Sequence, residues 1–201
     1  MKQLILVRHA PTTATRQAAF PADEPLDDLA RGAAAALQAA LPAGATALSS
    51  PARRALETAM AAGLRPKVEA RLAECDFGTW AGSSLAELHR ADPDATSTWM
   101  TDPDAAPHCG ESLTAFSSRV AAWLQDEVAL ARDVVAVTHA GVIRAAVAHV
   151  LGASVSALWR ILVEPLSITE LRADGDIWSV ARVNAGPPLR CRRRSRRARP
   201  R

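Results

Sequence analysis

Two short apolar runs, each ending on a histidine, constrain this chain more than any other feature. Leu4-Ile5-Leu6-Val7 leads straight into Arg8-His9, and Val134-Val135-Ala136-Val137 into Thr138-His139. Runs of this length and composition read as strands buried on both faces, the pattern of a parallel sheet. Burying an ionisable group without a partner is costly, so histidines at the ends of core strands read as side chains presented in a site. In open α/β sheets such sites lie just beyond the carboxyl ends of the strands. A surface Arg-His pair would look the same as a dipeptide, so the remainder of the chain has to supply partners for His9.

The segments around these runs alternate between helix and strand patterns. Pro11 to Pro25 reads as a loop. A helix is predicted over Leu26–Leu41, with Asp27 and Asp28 in its first turn and Pro42-Ala43-Gly44 as its stop. Ala45–Leu48 reads as a second strand. It passes through Ser49-Ser50-Pro51, a hydroxyl cap followed by proline at a first helical position, into a helix carrying Arg53 and Arg54. A short strand over Lys67–Ala70 and a helix over Ser83–Arg90 follow. Asp92–Gly110 is rich in Pro, Asp and Thr and reads as a non-helical part of an insertion over the sheet edge. Leu113, Phe116, Val120, Trp123 and Leu124 fall at helical spacing, predicting a helix over Ser112–Arg132. Another is predicted over Val142–Leu151. Two last strands, Ser167–Arg172 and Ile177–Val183, flank the turn Ala173-Asp174-Gly175-Asp176. This alternation predicts an α/β fold: a three-layer α/β/α sandwich with a mainly parallel central sheet and a small inserted lid at about residues 75–112. Residues 1–189 form one domain in this reading, and 190–201 a disordered tail.

The net charge of +3 belongs to that tail. Arg190 to Arg201 holds eight arginines and no acid, so the preceding 189 residues carry 16 basic and 21 acidic side chains, a net of −5. Blocks of like charge are usually solvated, and no aromatic interrupts this one. A polyanion- or nucleic-acid-binding role is therefore an alternative supported by the tail alone. Cys75, Cys109 and Cys191 are odd in number and form no CxxC or zinc pattern. The sixth residue beyond Cys109 is Ala115, not the arginine of a cysteine phosphatase loop. P-loop and serine-hydrolase motifs are absent as well. Free thiols, no signal-peptide pattern and no apolar stretch near the roughly 20 residues of a membrane span predict a cytoplasmic protein without a membrane partner.

What remains is a set of cations at one sheet edge. His9, His139, Arg8 and Arg54, with helix N-termini beside them, suit a dianionic phosphate better than metal or thiol chemistry. The motifs that carry these residues are LVRHAPT, SSPARRALETA, LAECDFGTWAG, GES and VTHAGVIR, in that order across roughly residues 2–185. Together they resemble the histidine phosphatase superfamily, which includes the cofactor-dependent phosphoglycerate mutases.

The resemblance implies a nucleophilic role for His9, with Arg8, Arg54 and His139 holding the phosphate oxygens. Glu74 would be the acid that protonates the leaving oxygen and later activates water, a role that needs its proton near neutral pH. Partial burial would favour that proton and nearby arginines oppose it. Motif register selects Arg54 over Arg53. Thr15 stands where the family commonly has a phosphate-binding asparagine, and Ala10 where it has glycine, which requires a negative φ. Ser112 caps a helix or borders the pocket. His89, His108 and His149 read as structural, as do Trp80 and Trp123; Trp99 is the tryptophan expected nearest the ligand. No cofactor or metal is implied. Between Glu74 and Ser118 the basic residue other than histidine is Arg90, whereas the mutases hold a second acidic group with basic residues there. The expected activity is therefore a phosphomonoesterase for a small phosphorylated metabolite with an apolar or ring-bearing leaving group, similar to α-ribazole phosphatases. Phosphoglycerate mutase activity is the alternative, and a homodimer is left open.

Overall fold

The computed structural model describes residues 2–130 and 132–186. Its centre is a six-stranded sheet built from β1 (Lys2–Arg8), β2 (Thr46–Ser49), β3 (Lys67–Val68), β4 (Val134–Thr138), β5 (Ile168–Asp174) and β6 (Ile177–Ala185). The strand order is β3-β2-β4-β1-β5-β6. β1 to β4 pair in parallel, with Leu4 opposite Val134 and Arg8 opposite Thr138. β5 runs antiparallel to both β1 and β6, so the sheet is mainly parallel with a reversed strand near one edge.

The side chains of β1 and β4 alternate between two cores, as the pleat requires. Leu4, Leu6, Val134 and Ala136 meet Phe116, Val120, Trp123 and Leu124 of α6 (Leu113–Ala129) and Ile143 of α7 (Ala140–Val150). Ile5, Val7, Val135 and Val137 face the other way, onto Leu37 and onto Ala55 and Ala59 of α3 (Arg53–Ala61). That gives the expected three layers. α2 (Asp28–Ala35) packs outside α3 and ends in a 3-10 turn, Ala36–Ala39, which accounts for the single longer helix expected there.

Three elements differ from expectation. The loop after β1 contains a one-turn helix, α1 (Thr13–Arg16), capped by the Thr12 hydroxyl. The supposedly non-helical stretch after Asp92 holds α5 (Pro93–Thr101), capped by the Asp92 side chain with Pro93 in its first turn. Those are ordinary helix-start signals, outweighed in the sequence reading by the polar composition. α5 packs beside α4 (Leu85–Ala91), which Ser84 and Glu87 close with a capping box. Finally, α3 begins two residues later than the Ser50-Pro51 signal, on Ala52 without a side-chain cap. The Ser50 hydroxyl has another use. The arginine-rich segment 190–201 and Cys191 lie outside the described residues. Among the described residues no helix is long and apolar enough to cross a membrane.

α3 is tied to the loop before α2 by Glu57, which is nearly buried. Its carboxylate accepts the Leu26 backbone N–H at 2.9 Å, pairs with Arg53 at 2.8 Å and with Arg31 at 2.9 Å. Glu57→Ala strands a buried N–H and removes charge-assisted bonds, so urea unfolding should show a loss of about 2 kcal/mol. A change within experimental error would mean that solvent replaces these partners freely.

Candidate active site

The carboxyl ends of β1, β2 and β4 lie at one edge of the sheet, and each delivers one polar side chain there. β1 delivers His9, which is 5% exposed, and β4 delivers His139, which is wholly buried. β2 delivers Ser50, also wholly buried. The first turn of α3 adds Arg54, 4% exposed.

Hydrogen bonding dictates the tautomers. His9 Nδ1 lies 2.7 Å from the Ala10 carbonyl, which can only accept, so Nδ1 carries the proton. The lone pair of His9 is therefore on Nε2, where Arg54 Nε donates to it at 3.3 Å. Arg54 also donates Nη2–H to His139 Nδ1 at 3.1 Å. His139 consequently holds its proton on Nε2 and donates it to Ser50 Oγ at 2.7 Å. Burial pushes the His9 imidazole down to about 3, with Arg54 reinforcing and the Ala10 hydrogen bond opposing. Burial likewise holds His139 well below the usual histidine range, with His9 and Arg54 adding to the effect.

Ala10 substitutes for glycine without strain, because its φ is not positive. It is buried, and its N–H is taken by Thr58 Oγ1 at 3.0 Å. Arg8 reaches past the strand end to the Val163 carbonyl at 2.7 Å. Burial lowers its proton affinity, and the neighbouring Arg144 and Arg54 act in the same direction.

Glu74 arrives from the segment after the 3-10 turn Ala70–Leu72 and meets the N-terminus of α7. Its Oε2 accepts Gly141 N–H at 3.3 Å and its Oε1 accepts Cys75 N–H at 3.1 Å. Arg119 of α6 holds this segment in place: it donates to the Arg71, Ala73 and Glu74 carbonyls and pairs with Glu111 at 2.7 Å. Gly141 has a specific reason to be glycine, since a Cβ there would collide with Glu74 Oε1.

A cavity of about 270 Å³ opens over these residues, lined among others by Arg8, His9, Thr15, Arg54, Glu74 and Arg144. The lining is also aromatic: Phe20, Phe77, Trp99, Phe116 and Trp159. Thr15 lies at the cavity as expected, its hydroxyl donating to Thr12 Oγ1, whose own proton goes to Glu24. His139 stands behind Arg54 rather than on the cavity wall. Ser112 is not among the lining residues and caps α6 by accepting Ala115 N–H at 3.1 Å. Arg53 turns away to Glu57. Trp99 lines the cavity, Trp123 sits in the core, and Trp80 packs in a separate lid cluster with Phe20 and Trp99. His108 is buried against Phe77 and Trp80.

The sequence reading did not single out four residues that the fold brings to this site: Ser50, Glu24, Arg144 and Trp159. Ser50 and Arg144 lie inside quoted motifs. Glu24 and Trp159 carry no local signal.

The family model of the histidine phosphatase superfamily (branch 1) matches residues 4–186. The chain belongs to the histidine phosphatase superfamily. Relatives agree with this membership. The chain is 33% identical over 199 residues to glucosyl-3-phosphoglycerate phosphatase of Mycolicibacterium vanbaalenii, covering 88% of each. It is 28% identical over 116 residues to adenosylcobalamin/alpha-ribazole phosphatase of Escherichia coli, covering 56% of this chain and 52% of the other. Among solved structures, a mycobacterial glucosyl-3-phosphoglycerate phosphatase in complex with VO3 superposes with a TM-score of 0.80 at 28% identity. That match covers 92% of this chain and all of the other. A histidine phosphatase is accordingly what the motifs, the fold and the relatives agree on.

Two predictions follow from this geometry. A histidine kept neutral by burial takes up a proton on unfolding, so the unfolded state binds more protons below its ordinary pKa of about 6.5. Stability therefore falls as pH drops from about 6.5 towards 3, by up to ~1.4 kcal/mol per pH unit for His9. Urea titrations at pH 7 and 5 should give a steeper loss in the wild type than in His9→Gln; equal slopes would contradict a neutral His9. In Gly141→Ala, the displaced Glu74 carboxylate should cost about 10²-fold in kcat with an unchanged circular dichroism spectrum. An unaltered kcat would mean that Glu74 does not need that position.

Proposed function

We propose that this phosphatase hydrolyses phosphomonoesters through a phosphohistidine on His9. The observation that carries the reading is a convergence of cations. Arg8, Arg54 and Arg144 line one cavity, and none of the ion pairs among the described residues involves them. A phosphate dianion supplies the charge that these guanidinium groups lack.

Arg54 Nε–H transfers its hydrogen bond from His9 to a phosphate oxygen, and the freed Nε2 lone pair attacks phosphorus as the ester P–O bond breaks. Glu74, in its acid form, gives its proton to the departing oxygen. The product alcohol leaves, and a water attacks the phosphohistidine while Glu74 takes its proton back. Phosphate departs and Nε2 regains its lone pair. The neutral, Nδ1-protonated form of His9 suits the first step, because it is ready as a nucleophile without losing a proton. Arg54 and Arg8 stabilise the equatorial phosphoryl oxygens, and the Thr15 hydroxyl turns its proton from Thr12 to the phosphate beside them. His139 serves from behind: its Nδ1 fixes the Arg54 guanidinium, and Ser50 fixes His139. Ser112 acts through α6 as its cap.

Hydrolysis, not isomerisation, is favoured because the lid's one arginine, Arg90, is not among the residues that line the cavity. The relatives' names, both phosphatases of small metabolites, support the same choice. Cys75 and Cys109 are free thiols, which supports a cytoplasmic location.

A brief quench with labelled substrate should trap an acid-labile, alkali-stable phosphoprotein in the wild type. His9→Ala should lose that species and at least about 10³-fold in rate. The wild type should fail to equilibrate 3- and 2-phosphoglycerate. An unchanged rate in His9→Ala, or efficient isomerisation, would overturn the proposal.

A further inference from the structure

The cavity lining is of two chemical kinds, and its aromatic part includes two tryptophans from separate parts of the chain. Trp99 lies on α5 in the lid, while Trp159 lies on the 3-10 turn Val155–Arg160 beyond α7. Their rings meet edge-to-face, with centroids 5.0 Å apart and planes at 74°. Both line the cavity.

The two rings are not equivalent. Trp99 is 5% exposed and is already surrounded, meeting Phe20 at 5.5 Å and Phe77 at 6.2 Å. Trp159 is 43% exposed and its aromatic contact among the described residues is Trp99. Its turn is held to the body by Leu158, which is 4% exposed in the main core. An anchored turn thus presents a large, half-bare ring at the mouth of the cavity. A bare aromatic ring in such a place gains from a second ring laid against it.

The charges point the same way. The cations that line the cavity are Arg8, Arg54 and Arg144. Arg54 bonds His9, and Arg144 lies close enough to Arg8 to weaken its hold on a proton. Arg144 is further committed through Nε to the Ile161 carbonyl at 2.9 Å. Arg54 thus stands at His9, Arg144 is held by the backbone just past the Trp159 turn with its Nε spent there, and the aromatic side chains themselves offer no charge to a second acidic group.

We infer that Trp159, closing against Trp99, is the specificity-determining residue of a leaving-group compartment, and that its occupant is a planar, uncharged ring joined to the phosphate through a short alcohol linkage. This rests on the hydrolysis proposed above, and its test is a ratio that survives only if hydrolysis occurs at all.

Benzyl phosphate and ethyl phosphate leave as alcohols of similar acidity but differ in the ring, and O-phosphoserine adds a carboxylate. The wild type should prefer benzyl phosphate to both of the others in kcat/KM by at least about ten-fold, mostly through KM. Trp159→Ala should bring the benzyl-to-ethyl ratio down towards one, and Trp159→Phe should keep most of it. A merely structural role for Trp159 would lower both substrates alike and leave the ratio standing. A preserved ratio in Trp159→Ala, a ratio near one in the wild type, or a wild-type preference for O-phosphoserine would each overturn the inference while leaving the phosphatase intact. Failure to hydrolyse any of the three would instead strike at the hydrolytic reading itself.

Discussion

A single buried guanidinium organises this protein. Arg54 is almost wholly enclosed, and its hydrogen-bond partners are the neutral rings of His9 and His139 and the Ala22 carbonyl. A buried cation normally demands a carboxylate beside it. Here Glu24, Glu74 and Asp23 act on it without an ion-pair contact, and its direct partners are lone pairs, available only while both histidines stay unprotonated on the sides that face it. That requirement explains why each imidazole has its other nitrogen tied off, one to a carbonyl and one to a serine. Protonating either ring is unfavourable chiefly because both are buried, and a second positive charge placed near the first adds to that cost. The arrangement leaves an excess of positive charge with an unprotonated imidazole nitrogen at its centre, and in the proposed reaction an incoming phosphate relieves that excess.

The fold supplies this bracket cheaply because parallel strands end together. The register of β1 against β4 puts Arg8 beside Thr138, so the residues that follow, His9 and His139, emerge as neighbours with ring centroids 5.1 Å apart. The link continues through the backbone, where His9 N–H donates to the Thr138 carbonyl at 2.9 Å. β2 pairs with β4 on its other side and so brings Ser50 to His139. Glu74 belongs to none of these strands and is positioned differently. The Thr138 hydroxyl holds the Leu72 carbonyl at 2.7 Å, and Arg119 gathers the carbonyls that follow. The acid is therefore braced from the sheet on one side and from α6 on the other, and only a glycine at position 141 leaves room for it.

How much of this was legible beforehand depended on whether a residue's role is written in its neighbours. His9 and His139 stood out because unbroken apolar runs leave few places for a charge. Arg54 and Glu74 needed motif register as well, since an arginine on a helix and an acid in a loop are unremarkable alone. Ser50 reads as a helix cap because Ser-Pro is a good start signal; in the structure its hydroxyl accepts both Ala52 N–H at 3.2 Å and the His139 proton at 2.7 Å, and the helix starts from Ala52. Arg144 falls on the helix that His139 begins, and a helical arginine gives no sign of which face meets a cavity. Trp159 sits in a 3-10 turn without periodicity, so nothing local distinguishes it from a solvent-facing ring. α5 was missed for the opposite reason: its start signals at Asp92 and Pro93 were present, but its polar surface hid the one buried stripe, Thr96 and Trp99.

These two kinds of residue also divide the protein's chemistry. The phosphate end is built from strand termini and the helices that directly follow them, where a shift of one residue in register would turn every core side chain to the opposite face. Such positions are coupled to the stability of the sheet and have little freedom to change. The aromatic end is built from α5, the loop bearing Phe20 and the turn bearing Trp159, none of which contributes a strand to the sheet. On the proposed reading, substitutions of these aromatic side chains alter the shape offered to the leaving group, and none of them is a hydrogen-bond partner of His9 or Arg54. In that reading, such a fold can retain one phosphoryl-transfer apparatus while its choice of alcohol drifts, because the backbone of the Phe20 loop and of the segment after the Trp159 turn holds Arg54, Arg8 and Arg144, while the aromatic side chains make none of those hydrogen bonds.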